Sequence, residues 1–204
     1  MLTGLVLWPI VTGLAYIRFT VASVIMIIPF TLHCLFGSKP LVTDFENLYG
    51  FLNRIPLGKY FFGGLVGGFT PGNALFLSKV NKLSGGVCEA TQRDWPWTRN
   101  PFGSLHACAL IFLGEFTSGI AVVAAMQRAK HVKGIPTSIN TKYHSKVKDW
   151  GLAHARAVVK VDDITEKCTR GFTTEIRNGK GELCCEVTVN WDFIVKDLDQ
   201  KKSK

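Results

Sequence analysis

The chain has 204 residues, and its 47% hydrophobic content with 14 Phe excludes a disordered chain, which cannot bury that much apolar surface. A net charge of +9, from 24 Lys and Arg against 15 Asp and Glu, suits an anionic partner such as membrane lipid, nucleic acid or a phosphate-bearing cofactor. Six Cys with no Cys-x-x-Cys spacing argue against a disulfide framework, and no His falls in zinc-ligand spacing, so no metal is expected. Cys184 and Cys185 are adjacent in a strand-like stretch, point to opposite faces and read as small buried hydrophobes.

From Met1 to Phe36 the only charge is Arg18, and residues 19–36 form an uncharged run of 18, long enough to span a bilayer. Thirty-six helical residues would reach about 54 Å against a hydrocarbon core of ~30 Å, so one span within residues 10–36 is expected. Breakage at Pro9 and Pro29 into shorter pieces is the alternative, as is a buried hairpin in a soluble protein. A cleaved secretory signal is not expected, since no Lys or Arg precedes the apolar run. Lys39, Arg54 and Lys59 follow the run and place the remaining chain on the positive side of the membrane.

Residues 37–72 read as a connecting helical segment. In it Gly63/Gly67 and Gly64/Gly68 fall four apart for close helix packing, and Tyr60, Phe61, Phe62 and Phe69 suit either a membrane interface or a cover over a core. Residues 73–195 form the folded domain, and 196–204 a disordered basic tail. Strands are expected at 73–81 and 85–93, joined by a turn at Ser84-Gly85. Leu105 to Met126 follows, with Glu115 as its only formal charge, a pattern that hydropathy alone reads as a second span. Four alternating segments come next, at 135–144, 152–161, 168–177 and 182–193, with Asn178-Gly179-Lys180-Gly181 as a hairpin turn. A helix apolar all round needs cover on every side, and six antiparallel strands curling around it supply that cover in an α+β domain.

This order of elements, with Asn100-Pro-Phe-Gly-Ser-Leu-His106 before the helix and Glu115 on it, resembles the hot-dog fold of acyl-CoA thioesterases. It is most similar to a branch with an N-terminal extension, like the phenylacetate-pathway thioesterases, over residues 70–195. The specific part is the triplet Asn100, His106 and Glu115 at spacings of six and nine; Thr141 to Lys146 (TKYHSK) resembles the end of the family's third strand.

Ser104 is a good N-cap, leaving the N–H groups of Leu105, His106 and Ala107 without intrahelical partners and able to polarise a thioester carbonyl. The resemblance implies that Glu115 acts as general base or nucleophile, with Asn100 and His106 holding water or carbonyl, and that Gly103, Ser104 and Ala107 receive the carbonyl at the helix start. It implies a coenzyme A thioester as substrate or ligand, no further cofactor, and a homodimer in which the carboxylate of one chain serves the loop of the other. The chain departs from the family at Ala107 and Cys108, where Gly-Gly is frequent, and at Glu115, where Asp is commoner.

From Arg128 to Lys160 basic residues outnumber acidic ones strongly. Lys142 and Lys146 in this stretch suit the phosphates of coenzyme A, although anionic lipid beneath an anchor or a solvated edge reads equally well. Nucleic acid is not expected, because no aromatic interleaving or binding motif accompanies the charge. Two functions follow: hydrolysis of a long-chain acyl-thioester at a membrane, or a catalytically inactive accessory subunit of a larger membrane complex, with the mitochondrial inner membrane as the expected location.

Overall fold

A computed structural model describes residues 44–54, 58–59, 62, 66, 76, 78–148 and 151–196. The expected membrane span, the glycines at 63, 64, 67 and 68 and the tail beyond Lys196 lie outside the described residues. The elements are helix α1 (Phe45–Leu52), strands β1 (Lys79–Ser84) and β2 (Val87–Arg93), a 3-10 turn (Pro96–Thr98), helix α2 (Ala107–Ala129), and strands β3 (Val132–Tyr143), β4 (Leu152–Val158), β5 (Cys168–Arg177) and β6 (Leu183–Val195). The strands form one antiparallel sheet in the order β1-β2-β4-β5-β6-β3, curled around α2. The fold is therefore the expected α+β sheet around one long helix.

Local chemistry explains the turns. Ser84 pairs with Val87 across Gly85 and Gly86, whose φ values of 60° and 78° suit a two-residue hairpin loop. A Cβ at Gly86 would lie 2.1 Å from the Val159 carbonyl oxygen, so only glycine fits there. At the β5–β6 turn Asn178 Oδ1 accepts from the N–H groups of Lys180 and Glu182, and Gly181 takes a φ of 84°. The first strand differs from expectation: β1 begins at Lys79 and Phe76 is helical. The apolar residues at 74–77 resembled a strand, but the pairing with β2 starts only at Lys79.

Among the described residues α2 alone is long and apolar enough to cross a membrane. Its apolar surface packs into the concave face of the sheet instead, with Ala109, Leu113, Ala121, Val122 and Ala125 fully buried. Small residues set the approach: a Cβ at Gly114 would come within 2.4 Å of Val187 on β6. The buried threonine hydroxyls at this contact are satisfied, Thr117 donating to the Leu113 carbonyl at 2.6 Å and Thr174 to that of Gly114 at 2.8 Å.

Helix α1 starts at Asp44, whose Oδ1 accepts from the Asn47 N–H at 3.0 Å. It packs on the far end of α2: the Phe45 N–H donates to Gln127 Oε1 at 2.8 Å, and Arg128 bridges Glu46 and Asp162. Tyr49 and Leu52, with the helical residues Phe62 and Val66, join the same buried core as the sheet and α2.

Candidate active site

The helix begins later than its sequence suggested. His106, not Ser104, is the N-cap, its Nδ1 accepting from the Cys108 N–H at 3.1 Å. The Leu105 N–H donates to the Val147 carbonyl and the His106 N–H to that of Thr98, which removes both from the expected oxyanion donors. Ser104 is buried outside the helix, bridged to Lys148 and held by Asn100, and Gly103 is a turn residue at φ 72°. Within the first helical turn the Ala107 N–H is the donor that has no acceptor among the described residues.

The Asn100 side chain organises the loop before α2. Its Oδ1 accepts from the N–H groups of Phe102 (3.0 Å) and Ser104 (3.2 Å), while Nδ2 donates to Ser104 Oγ at 3.0 Å. Asn100 thus positions the loop. His106 is exposed, and with Nδ1 accepting at the cap, Nε2 is the ring nitrogen left for another partner.

Glu115 occupies a different part of the helix. Phe112, Glu115, Gly119, Val123 and Met126 are half-buried and recur every three or four residues, forming one partly covered stripe along a helix whose other positions from Leu113 to Ala125 are buried. Among the described residues the Glu115 carboxylate has no hydrogen-bond or ion-pair partner, and burial raises its pKa above the ordinary carboxylate value. Its Oε1 lies 3.4 Å from where a Cβ on Gly119 would stand, so the glycine leaves the carboxylate room. Glu115 stands nine residues on from the cap, about 13.5 Å along the helix axis from His106. One chain therefore brings Asn100 and His106 to the helix start but does not bring Glu115 to them.

Lys142 and Lys146 are exposed near the helix start, Lys146 Nζ lying 5.9 Å from the centroid of the Phe102 ring. Sequence reasoning passed over Tyr143, whose hydroxyl donates to the Ala107 carbonyl at 3.4 Å, and Gly119. Tyr143 sits inside the TKYHSK motif, and Gly119 is four residues beyond Glu115, the only acidic residue of the helix, the spacing that puts two positions on one face.

A family model described as Domain of unknown function (DUF4442) matches residues 73–193. The chain belongs to the DUF4442 family. No curated protein matches it. Among solved structures the DUF4442 domain is similar to a thioesterase enzyme of Staphylococcus aureus, at 19% identity and a TM-score of 0.52 over 60% of this chain and 97% of that one. It is similar to a thioesterase of Pseudomonas aeruginosa, at 15% identity and a TM-score of 0.51 over 60% of this chain and 85% of that one. A hypothetical thioesterase of Streptococcus pneumoniae, solved with coenzyme A, aligns at 18% identity and a TM-score of 0.50 over 60% of this chain and 91% of that one. At these identities the likeness establishes the fold: the DUF4442 domain is a hot-dog domain. Helix α1 precedes the matched region yet shares its core.

Proposed function

We propose that the chain is a membrane-anchored hydrolase of long-chain acyl-thioesters, acting on coenzyme A derivatives as a homodimer. The observation that carries this reading is Glu115, an unpartnered carboxylate held on the one partly covered stripe of a buried helix, with its pKa raised by burial toward the range useful to a general base. The thioesterases of similar fold, and the bound coenzyme A in one of them, give the reaction class.

The separation of Glu115 from His106 calls for a second protomer. Strand β3, 12 residues long, is one of the two edges of the sheet and exposes Ile139 and Tyr143. Antiparallel pairing of two β3 edges would turn the helix start of one chain toward the stripe of its partner. The partner's carboxylate would then meet the carbonyl held at the Ala107 N–H, and Lys142 and Lys146 would face the phosphates of coenzyme A. Phe112, on the same stripe as Glu115, suits a long acyl chain, and residues 1–36 would keep the site at the membrane that supplies it, the mitochondrial inner membrane in this reading.

An inactive accessory subunit of a larger membrane complex is the second reading, favoured by the engagement of the Leu105 and His106 N–H groups within the fold. Release of coenzyme A by the full chain in detergent, measured across acyl-CoA chain lengths, separates the two. The hydrolase reading expects turnover that increases with chain length; absence of turnover at every length would overturn it.

A further inference from the structure

A groove of about 740 Å³ lies at the C-terminal end of α2, where Val123 and Met126 form its apolar floor. Lys130, Lys133, Lys167 and Lys196 stand around it, all four exposed, against Asp192 as its one lining carboxylate. Among the described residues none of these lysines is in an ion pair, whereas neighbouring Arg128 is doubly bridged. The helix ends here with its negative pole, but Lys196 Nζ donates to the Lys130 carbonyl at 3.2 Å, and four positive charges exceed a partial negative one. An anion is therefore favoured at the rim and an apolar stem on the floor.

The adjoining outer face of the sheet has the same mixed character. In the β3–β6 register Lys133 lies opposite Ile194 and Ile135 opposite Asp192, so these four share one face. Ile135 is 65% exposed and Ile194 50%, an apolar pair set among lysines, which is the composition of a surface that rests on anionic bilayer. This is also where the chain enters the domain: Phe45 is bonded to Gln127, which lines the groove. Only seven residues, at most about 25 Å of chain, separate Phe36 at the end of the apolar run from the α1 cap Asp44. The cluster lies about 22 Å along α2 from Glu115, far from Lys142 and Lys146 at the other end of the helix.

We infer that this groove seats an anionic phospholipid of the membrane that holds the N-terminal segment, its phosphate among Lys130, Lys133, Lys167 and Lys196 and an acyl chain along Val123 and Met126. The inference rests on the membrane part of the proposed function and is independent of catalysis at Glu115.

The test is native mass spectrometry of the full chain in neutral detergent, titrated with phosphatidylglycerol or phosphatidylcholine, and compared with a variant carrying Lys130→Gln, Lys133→Gln, Lys167→Gln and Lys196→Gln. At about fivefold per net charge, the wild type should prefer phosphatidylglycerol by roughly 100-fold at low salt, and the variant by no more than about threefold. Lys142→Gln with Lys146→Gln should leave the preference intact. A photoactivatable phosphatidylglycerol should label residues 123–135. Equal retention of the two lipids, an undiminished preference in the fourfold variant, labelling confined to residues 1–36, or displacement of the lipid by coenzyme A would each overturn the inference. Resistance of the full chain to alkaline extraction from membranes tests the anchor separately.

Discussion

Glu115 and Gly119 lie one helical turn apart on α2, with the carboxylate oxygen 3.4 Å from the point where a Cβ on residue 119 would stand. A glycine inside a long helix costs about 0.5–1 kcal/mol relative to alanine. Gly119→Ala should therefore raise the melting temperature by about 2–4 °C while lowering kcat/KM for acyl-CoA about tenfold, as the new methyl, in van der Waals contact with the carboxylate oxygen, takes the space open to water on that side. A variant both more stable and fully active would show that the glycine does not serve Glu115.

The raised pKa of Glu115 has a defined sign for stability. Its folded pKa lies above the unfolded value, so its contribution is fully present below the unfolded pKa and is lost as pH rises through the folded one. Glu115→Gln removes this titration. The variant should be more stable than wild type at neutral pH, with the difference vanishing in acid, as read by denaturant unfolding at several pH values. Hydrolysis should follow the opposite course and rise with pH as the carboxylate ionises.

Asn100 is bound into its loop through both ends of its amide. Asn100→Ala should cost about 1–2 kcal/mol of stability, since it leaves two N–H groups without their acceptor. Asn100→Asp keeps the accepting oxygen and should recover most of that loss in thermal unfolding. If alanine lowers the rate and leaves stability unchanged, Asn100 contacts substrate and does not merely shape the loop.

Ile139 is 46% exposed on the edge strand β3. If the proposed β3–β3 dimer forms, Ile139→Lys should convert it to monomer in sedimentation analysis and abolish turnover with it, because a charge on an edge strand opposes pairing. A monomeric wild type with full activity would contradict the shared site.

The strands around Asn178–Gly181 and the buried helix were legible because their signals are local: turn chemistry in one case, a long apolar run with a single charge in the other. The start of α2 was not. Ser104 has the chemistry of an N-cap, but Asn100 and the bridge to Lys148 hold it, and the cap passes to His106. Those partners are set by tertiary contacts that no spacing reveals. The docking of α1 on Gln127 and Arg128 was hidden for the same reason, since its partners lie 82 residues away. Of the triplet, Asn100 holds the loop before α2 and His106 caps the helix, whereas Glu115 stands nine residues further along it, a separation that the sequence spacing shows only once the helix start is known.

The central claim is that Glu115 is the base of a thioester hydrolysis, and single-turnover hydrolysis of a long-chain acyl-CoA by wild type and Glu115→Gln tests it most directly. The account predicts a loss of at least about 100-fold in the variant, with the fold unchanged by circular dichroism. Equal rates in the two proteins, or equal inertness while both are folded and dimeric, would contradict it and leave the accessory-subunit reading in its place.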